Sequence, residues 1–214
     1  VDLIKAFSLS PLPKGRKVGI ASGWGGYGVL ASDACARGGL ELPELSQEAI
    51  EQLNQSLPPF WSHGNPIDIT AAGIFGDFAT LLLESVEVLL GDESIDAVIC
   101  TVPAFGSLFE RVIPRMEPNV LQDLSKTSML SMIPLEKGIA EDIVKLKGKY
   151  AKPIIGVVIG FYEQQKSEGI KFLENNGIPI YQTPYQAARV LSKLADYREY
   201  NDLTFSPTRK YTPR

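Results

Sequence analysis

The sequence predicts an α/β fold: an open, doubly wound parallel sheet of about five strands with helices on both faces. Short apolar segments alternate with longer amphipathic ones along most of the chain, which is the pattern of repeated β-α-β units. Residues 96–102 and 153–159 are almost continuously apolar, as is typical of parallel strands that are covered on both faces. A glycine-dense turn joins the first strand to the first helix, as the connections of such sheets often do.

The individual elements follow from hydrophobic periodicity and from helix start and stop signals. Strands are predicted at residues 17–22, 40–42, 96–102, 153–159 and 178–181. Helices are predicted at residues 27–37, 46–57, 75–90, 137–149, 163–175 and 184–197. One helix carries an apolar stripe at spacings of three and four residues, formed by Phe75, Phe78, Leu82, Val86 and Leu89.

Two boundaries divide the chain into three segments in this interpretation. Residues 1–15 form a lead-in helix and linker, residues 16–197 form the domain, and residues 198–214 form a polar tail or linker. Residues 103–136 predict an irregular excursion with short helices, one of them over 107–113, because Pro114, Pro118 and Pro134 interrupt the pattern after that helix. Such an excursion is either a lid or docking surface or an ordinary insertion. Because the chain starts at Val1, we expect it to be cut from a longer one.

Composition excludes several classes of partner. The 214 residues carry 21 Lys and Arg against 25 Asp and Glu, a net charge of −4, without the basic cluster that nucleic acid requires. No apolar run approaches the roughly 18 residues that span a bilayer, so a membrane partner is not expected. The two cysteines, Cys35 and Cys100, form no CxxC pair, which favours a reducing, cytoplasmic setting.

The glycine-dense turn is the first candidate site. Four of its residues, Gly23, Gly25, Gly26 and Gly28, lie where a strand ends and a helix begins. A helix start carries unpaired N–H groups and a partial positive charge, and glycine lets an anion approach them closely. We therefore expect phosphate, a carboxylate or a phosphorylated side chain here. The alternative is a tight turn without a ligand.

Two further strand-to-helix turns face the same edge of the predicted sheet. Gly106 and Ser107 follow the strand at 96–102 and could donate N–H and O–H groups to an anion, unless Ser107 only caps its helix. At the turn over 160–163, Glu163 complements the helix dipole, which argues against an anion there. Ligands bind outside the carboxyl ends of such strands, so the candidate loops are 22–28, 103–107, 160–163 and, if it folds over this edge, 60–74.

The same glycines also match the dinucleotide fingerprint GxGxxG, with Glu41 or Glu44 near the position of the ribose-binding acid. A nicotinamide or flavin site is therefore an alternative. The bulk of Trp24 in the turn, the very short second strand and the lack of a following catalytic constellation count against it.

The loop at 60–74 holds the only histidine, His63, together with Asn65 and Asp68. A lone histidine can be a general base, a phosphoryl carrier or a metal ligand, but a loop histidine beside glycine is more often a surface or packing residue. No second His or Cys is present that would complete a metal site with it, so no metal is expected. Asn65 and Asp68 equally suit turn formation and helix capping.

Several segments together resemble the CoA-ligase domain of ADP-forming acyl-CoA synthetases. They are Leu12–Val18, Gly25–Val29, Gly39–Leu42, Gly64–Asp68, Asp96–Val98, Lys152–Ile154 and Gly177–Pro184. The resemblance covers about residues 10–102 and 150–197 and is weak across 103–149. It implies a flavodoxin-like domain, similar to the part of succinyl-CoA synthetase whose helix N-terminus helps to hold a phosphorylated histidine.

In that family the whole enzyme reversibly converts acyl-CoA, ADP and phosphate into acid, CoA and ATP. By this resemblance the catalytic role falls to Gly106 and Ser107, and the other matched elements are the glycine turn, Asn65 and Asp68. The carrier histidine of the family lies in another domain, so His63 is not expected to be the carrier.

The implied partners are a phosphohistidine and CoA-binding domain and an ATP-grasp module. CoA and ADP or ATP with Mg would belong to the intact enzyme, with no cofactor held tightly by this domain, which is expected to be inactive alone. An alternative is a ligand-sensing domain, because similar regions are fused to acetyltransferases.

Overall fold

The computed structural model describes residues 1–69, 77–104, 113–125, 135–159 and 167–205. Within these ranges, five strands form one sheet: β1 (Val18–Ser22), β2 (Ile67–Asp68), β3 (Ala97–Pro103), β4 (Ile154–Ile159) and β5 (Ile180–Tyr181). The strand order is β2-β1-β3-β4-β5, and every pairing is parallel. This order is that of doubly wound, flavodoxin-like sheets, so the predicted fold class is confirmed.

Eight α-helices lie in the described ranges. They are α1 (Asp2–Leu9), α2 (Gly25–Arg37), α3 (Gln47–Leu53), α4 (Phe78–Gly91), α5 (Pro118–Ser125), α6 (Leu135–Lys149), α7 (Glu168–Asn175) and α8 (Pro184–Phe205). A short 3-10 helix spans Ile113–Arg115. Among these described helices, none is both long and apolar enough to cross a membrane.

Capping residues set several helix boundaries. The side chains of Ser46, Asp77 and Ser167 accept hydrogen bonds from backbone N–H groups in the first turns of α3, α4 and α7. Beyond the ends of α2 and α7, Gly39 and Gly177 have φ values of +69° and +77°, a conformation that glycine adopts without the strain a side chain would bring. Local sequence signals therefore place these five helix boundaries.

The core consists of two buried clusters, one on each face of the sheet. Along β3, Ala97 and Ile99 face the cluster under α1, α2 and α8, whereas Val98, Cys100 and Val102 face the cluster under α3, α4, α6 and α7. This alternation is the two-residue period of a strand. It explains the apolar run of the β3 sequence, because both faces of the strand are covered by helices.

The prediction of the second strand is wrong. Residues 40–42 form no strand, and only a single parallel bridge joins Glu41 to Lys17. The edge strand is instead Ile67–Asp68, inside the segment interpreted as a loop, where it pairs with Ala21 and Ser22. Two residues are too few to show an alternating pattern, so hydrophobic periodicity could not detect this strand.

Several helix boundaries also differ from the predictions. Helices α4, α6 and α7 begin at Phe78, Leu135 and Glu168 rather than at residues 75, 137 and 163. Helix α2 begins at Gly25 rather than residue 27, and α3 ends at Leu53 rather than residue 57. Helix α8 runs to Phe205, eight residues into the segment interpreted as a polar tail. The tail residues 206–214, residues 107–112 of the helix predicted over 107–113 and residues 163–166 of the helix predicted from 163 lie outside the described residues.

The lead-in segment packs onto the domain. Helix α1 contacts α8, and Ala6 is completely buried. The hydroxyl of Tyr181 in β5 donates a hydrogen bond to the carbonyl of Asp2 at 2.9 Å, and Lys5 pairs with Glu174 of α7. Side-chain burial and polar contacts thus hold α1 against the sheet, while the domain boundary at residue 15 stays a prediction.

An ion cluster joins Arg16 to α8 near the predicted end of that helix. Arg16 donates to Glu199 through Nε and Nη2 at 2.6 and 2.7 Å, and its Nη2 also donates to Asp196 at 2.7 Å. Hydrogen bonding to Arg16 lowers the pKa of Glu199. The pKa of Asp196 is lowered by Lys193 first and by Arg16 second. This pairing fixes α8 to Arg16 up to Glu199, two residues beyond the predicted end of the helix, and periodicity alone does not contain such a contact.

Replacing Arg16 with methionine is expected to lower the free energy of unfolding at neutral pH. Carboxylates with lowered pKa values contribute stability above their unfolded pKa of about 4, and that contribution disappears as the pH falls through their folded pKa. The difference between wild type and Arg16→Met should therefore shrink as the pH is lowered toward about 2. Because the cluster is partly exposed, the effect is small. Urea unfolding curves across this pH range test it, and a difference that does not change with pH would contradict the prediction.

Candidate functional site

The candidate site lies at the carboxyl ends of β1 and β3, where the strand order reverses direction. This is the position at which doubly wound sheets bind their ligands. The two strand ends are joined by one buried hydrogen bond, from the Gly23 N–H to Oγ1 of Thr101 at 2.8 Å. Thr101 is 3% exposed, so this bond is shielded from water. The turn after β1 is thereby held against β3.

The start of α2 is shaped by Ser22. The Ser22 hydroxyl donates to the carbonyl of Trp24 at 2.6 Å and accepts from the Trp24 N–H at 3.2 Å. The Trp24 carbonyl also accepts from the N–H groups of Tyr27 and Gly28 at 2.9 and 3.2 Å. Trp24 itself makes no side-chain cap for the helix. A buried serine one residue before the glycine run therefore sets the geometry of the turn.

The four glycines of the turn have different surroundings. A Cβ at Gly23 would lie 2.5 Å from the Phe78 ring, and Gly23 is buried. Gly28 is also buried, but a Cβ there would make only ordinary contacts. Gly26 is exposed, and a Cβ on it would meet no atom within 4 Å. Of these three, Gly26 is the one whose backbone is open to an approaching group.

Gly25 lies against an acidic side chain. A Cβ at Gly25 would be 2.5 Å from Oδ2 of Asp68, the last residue of β2. A carboxylate next to the first turn of a helix interacts favourably with the positive end of the helix dipole. It would also repel a second anion on the same side. An anion at this helix start is therefore expected to approach from the side of Gly26.

Asn65 joins β1 to the segment before β2. Its Oδ1 accepts from the Ile20 N–H at 3.0 Å, and its Nδ2 donates to the carbonyls of Val18 and Pro43 at 2.8 and 3.2 Å. The side-chain amide thus takes the place of a missing strand residue beside β1. These contacts are structural, and a part for Asn65 in ligand binding stays a prediction, as it does for Asp68 and the four glycines.

Sequence reasoning did not assign Thr101 and Phe78 to this site. Thr101 is a polar residue inside an otherwise apolar strand, and that interruption was the available signal. Phe78 packs against Gly23 and contacts Trp24 edge-on, with ring centroids 5.4 Å apart. Its place in a helical stripe predicted only a core position, because the contact with the turn depends on how α4 lies across the sheet.

The other candidate residues are distributed as follows. Gly106, Ser107 and residues 160–163 lie outside the described residues, as does Phe75. His63 is exposed and packs against Trp61, with ring centroids 4.6 Å apart, as expected for a surface or packing residue. Within the described ranges, no group of three or more His, Cys, Asp or Glu side chains could hold a metal ion.

Both cysteines are buried, and neither forms a disulfide. Burial raises the pKa of each thiol to about 12. Thiolates of such cysteines are scarce near neutral pH, so neither residue is suited to nucleophilic chemistry.

The position of Glu41 counts against the dinucleotide alternative. The Glu41 carbonyl accepts from the Val18 N–H at 2.8 Å, and the Glu41 N–H donates to the Arg16 carbonyl at 2.9 Å. Both contacts lie at the amino end of β1, whereas the glycine turn follows its carboxyl end. A ribose-binding acid must lie near the turn that holds the pyrophosphate. Glu41 is therefore at the wrong end of the strand for that role.

A separate open cavity of about 630 Å³ lies near the amino end of β3, among α3, α4 and α6. Its lining includes Ser46, Glu87, Asp92 and Lys149. Three of its charged groups are already paired: Asp92 accepts from the N–H groups of Ser46 and Ser94, and Lys149 contacts Glu87 at 2.5 Å. This cavity lies away from the carboxyl edge.

Comparison with known proteins assigns the chain to a family. A sequence model of the Ligase-CoA domain matches residues 18–198, most of the chain. The chain belongs to the Ligase-CoA domain family. The α subunit of acetate–CoA ligase (ADP-forming) II from Pyrococcus furiosus is 30% identical over 192 residues, which are 88% of this chain and 35% of that protein. Acetate–CoA ligase (ADP-forming) II from Archaeoglobus fulgidus is 32% identical over 205 residues, 92% of this chain and 25% of that protein.

Solved structures share the fold of this Ligase-CoA domain. A Pyrococcus horikoshii OT3 protein superposes with a TM-score of 0.68 at 26% identity, covering 94% of this chain and 40% of that one. The dinucleotide-forming acetyl-coenzyme A synthetase 1 of Ca. Korarchaeum cryptofilum, solved with phosphate and ADP, superposes with a TM-score of 0.67 at 24% identity, covering 96% of this chain and 38% of that one. The chain thus spans between a quarter and two fifths of these relatives.

Proposed function

We propose that the chain is the Ligase-CoA domain of an ADP-forming acyl-CoA synthetase. The whole enzyme would reversibly convert acyl-CoA, ADP and phosphate into acid, CoA and ATP. The observation that carries this proposal is the family match over residues 18–198, together with the ADP-forming acetate–CoA ligases among the relatives. The names of those relatives make acetate the first acid to test.

The proposed role of this domain is to hold a negatively charged intermediate, a phosphohistidine or acyl phosphate brought by another domain. Backbone N–H groups at a helix start stabilise such a group without supplying a base or a nucleophile. The helix start at Gly25 and Gly26 and the residues Gly106 and Ser107 after β3 are the proposed contacts. They follow β1 and β3, which are neighbours in the sheet, so one ligand could meet both turns.

CoA, ADP or ATP, and Mg would bind to other parts of the intact enzyme in this proposal. The described residues hold no cluster of ligands that fits a metal ion, and we assign no step of the reaction to one in this domain. The proposed partners are the phosphohistidine and CoA-binding domain and the ATP-grasp module. What this chain's own residues would supply is position and charge stabilisation.

The function is tested with acetyl-CoA, ADP and phosphate, using the intact enzyme that contains this chain. ATP is measured with luciferase and CoA with a thiol reagent. We expect ATP and CoA in equal amounts from the intact enzyme and neither product from the 214-residue chain alone. Release of CoA without ADP and phosphate would identify a hydrolase instead and overturn the proposal.

Gly106→Asp is expected to slow this reaction in the intact enzyme. A carboxylate at the proposed anion site should cost about 0.6–2 kcal/mol of stabilisation, which is a loss of roughly 3- to 30-fold in turnover. Gly148→Asp is the matched control, because it adds the same charge at an exposed glycine in the last turn of α6, where a Cβ would meet nothing within 4 Å. Normal turnover by Gly106→Asp, with the fold intact by circular dichroism, would remove Gly106 from the site.

A further inference from the structure

Trp24 carries the bulkiest side chain of the turn that joins β1 to α2. It occupies the N-cap position of α2 and makes no side-chain hydrogen bond to the helix. Residues that cap helices place a side-chain oxygen beside the backbone N–H groups of the first turn, and an indole has no oxygen to place there. A large apolar ring thus lies where a small polar side chain is usual.

Neighbouring groups hold Trp24 in place. Its carbonyl accepts hydrogen bonds from the Ser22 hydroxyl at 2.6 Å and from the Tyr27 N–H at 2.9 Å. Its ring packs against the core cluster and meets Phe78 edge-on, with 5.4 Å between the centroids and 62° between the ring planes. Phe78 is only 8% exposed, so the ring that supports Trp24 is itself embedded.

The indole is therefore a wall that yields little to a ligand. Trp24 is half-buried, so part of this apolar side chain remains uncovered at the carboxyl edge of the sheet. An aromatic surface that is fixed on one side and uncovered on the other can select ligands by their size, because a group that is too long cannot push the ring aside.

An anion at the start of α2 would lie next to this wall. Such an anion takes the position of the absent cap oxygen, beside the N–H groups of the first turn. Gly26 is two residues from Trp24, which places their Cα atoms within about 7 Å of each other. Asp68 lies against Gly25 and disfavours an anion on that side. A substituent attached to the anion is therefore within reach of the indole.

We propose that Trp24 limits the size of the acyl group that the synthetase accepts, so that short apolar acids such as acetate are its substrates. This inference rests on the proposed function, because it takes the anion to be an acyl phosphate. In an acyl phosphate one oxygen joins the acyl carbon to the phosphoryl group, so the two parts bind side by side. A methyl group fits between the anion and a fixed indole, whereas a longer or branched chain collides with the ring.

The size limit is tested by measuring kcat/KM for two acyl-CoA substrates with the intact enzyme. Acetyl-CoA and isobutyryl-CoA are each supplied with ADP and phosphate, and ATP is measured with luciferase. We expect Trp24→Ala to raise the ratio of the isobutyryl-CoA value to the acetyl-CoA value by about 10-fold or more, since one methylene group in an apolar pocket already changes discrimination by that factor. General damage to the fold lowers both values together and leaves their ratio unchanged.

Two further variants are controls. Trp24→Phe keeps an aromatic ring, so its ratio should lie between those of wild type and Trp24→Ala. Trp61→Phe changes the other tryptophan, which is 5% exposed and donates through Nε1 to Asn54 at 2.8 Å, and should leave the ratio as in wild type. Circular dichroism verifies the fold of each variant, and Trp24→Leu replaces Trp24→Ala if the alanine variant does not fold.

The outcomes separate this inference from the proposed function. An unchanged ratio in a folded Trp24→Ala or Trp24→Leu enzyme that still makes ATP from acetyl-CoA overturns the size limit and leaves the proposed function intact. A wild-type enzyme that already prefers isobutyryl-CoA to acetyl-CoA does the same. Absence of ATP from every acyl-CoA refutes the proposed function, and the size limit falls with it.

Discussion

Replacing Asn65 with alanine is expected to lower the free energy of unfolding by about 2–4 kcal/mol, because each buried polar group left without a partner costs about 1–3 kcal/mol. The Asn65 carboxamide serves three backbone groups, the N–H of Ile20 and the carbonyls of Val18 and Pro43. Alanine would leave all three to find other partners. Urea unfolding followed by tryptophan fluorescence and far-UV circular dichroism measures the change.

The control for this prediction is Asn176→Ala. The Asn176 side chain donates to the Phe172 carbonyl at 2.8 Å, but it does so at an exposed helix end where water can replace it. We expect a loss within about 0.5 kcal/mol there. Equal losses from the two variants would show that Asn65 is not a structural link between β1 and the segment before β2. Asn65 would then be a stronger candidate for ligand binding.

Gly23→Ala is expected to be the second most damaging change. The added methyl group would lie 2.5 and 2.7 Å from two carbons of the Phe78 ring, so the ring or the turn must move. Moving the turn strains the buried hydrogen bond from the Gly23 N–H to Thr101. Inserting a methyl group into a packed interior typically costs about 1–3 kcal/mol. The loss appears in the same urea unfolding experiment.

Gly26→Ala provides the matched control three residues further along. A Cβ at Gly26 meets nothing within 4 Å, and Gly26 is a helical residue without a positive φ. Alanine at this position should be neutral or stabilising by up to about 1 kcal/mol, because it favours the helix over the unfolded chain. If Gly23→Ala were as harmless as Gly26→Ala, Phe78 would not be packed against the turn. Destabilisation by both would point to a requirement for glycine throughout the turn.

The successes and the error in the predicted sheet have one explanation. Strands β3 and β4 were recognisable because they are long, apolar and covered on both faces, so each carries its own signal. The edge strand β2 has only two residues and is held beside β1 partly by Asn65, which lies outside the strand. Residues 40–42 looked like a strand because Leu40 is buried, yet they make a single bridge to the sheet. Burial and strand pairing are separate properties, and an apolar pattern reports only burial.

The site was predictable to the extent that it depends on chain order. A strand, a glycine run and a helix start occur consecutively, so the turn at 23–28 could be found in the sequence. The contacts of Asp68 with Gly25 and of Phe78 with Gly23 could not be found in the sequence, because the two residues of each pair are between 40 and 60 positions apart in the chain. Glu41 could likewise not be excluded as a ribose-binding acid from the sequence, because only the fold shows that it lies beside the amino end of β1.

The sequence by itself determined the doubly wound class, the strands of the sheet interior, most helix starts and the family resemblance. These depend on local periodicity, capping residues and glycines, which act over a few neighbouring positions. Only the tertiary structure decided which strand forms the edge, which glycines of the turn are open, and where apolar side chains remain uncovered. Those properties arise when distant segments pack together, and the free energy of that packing is distributed over contacts that no single stretch of sequence contains.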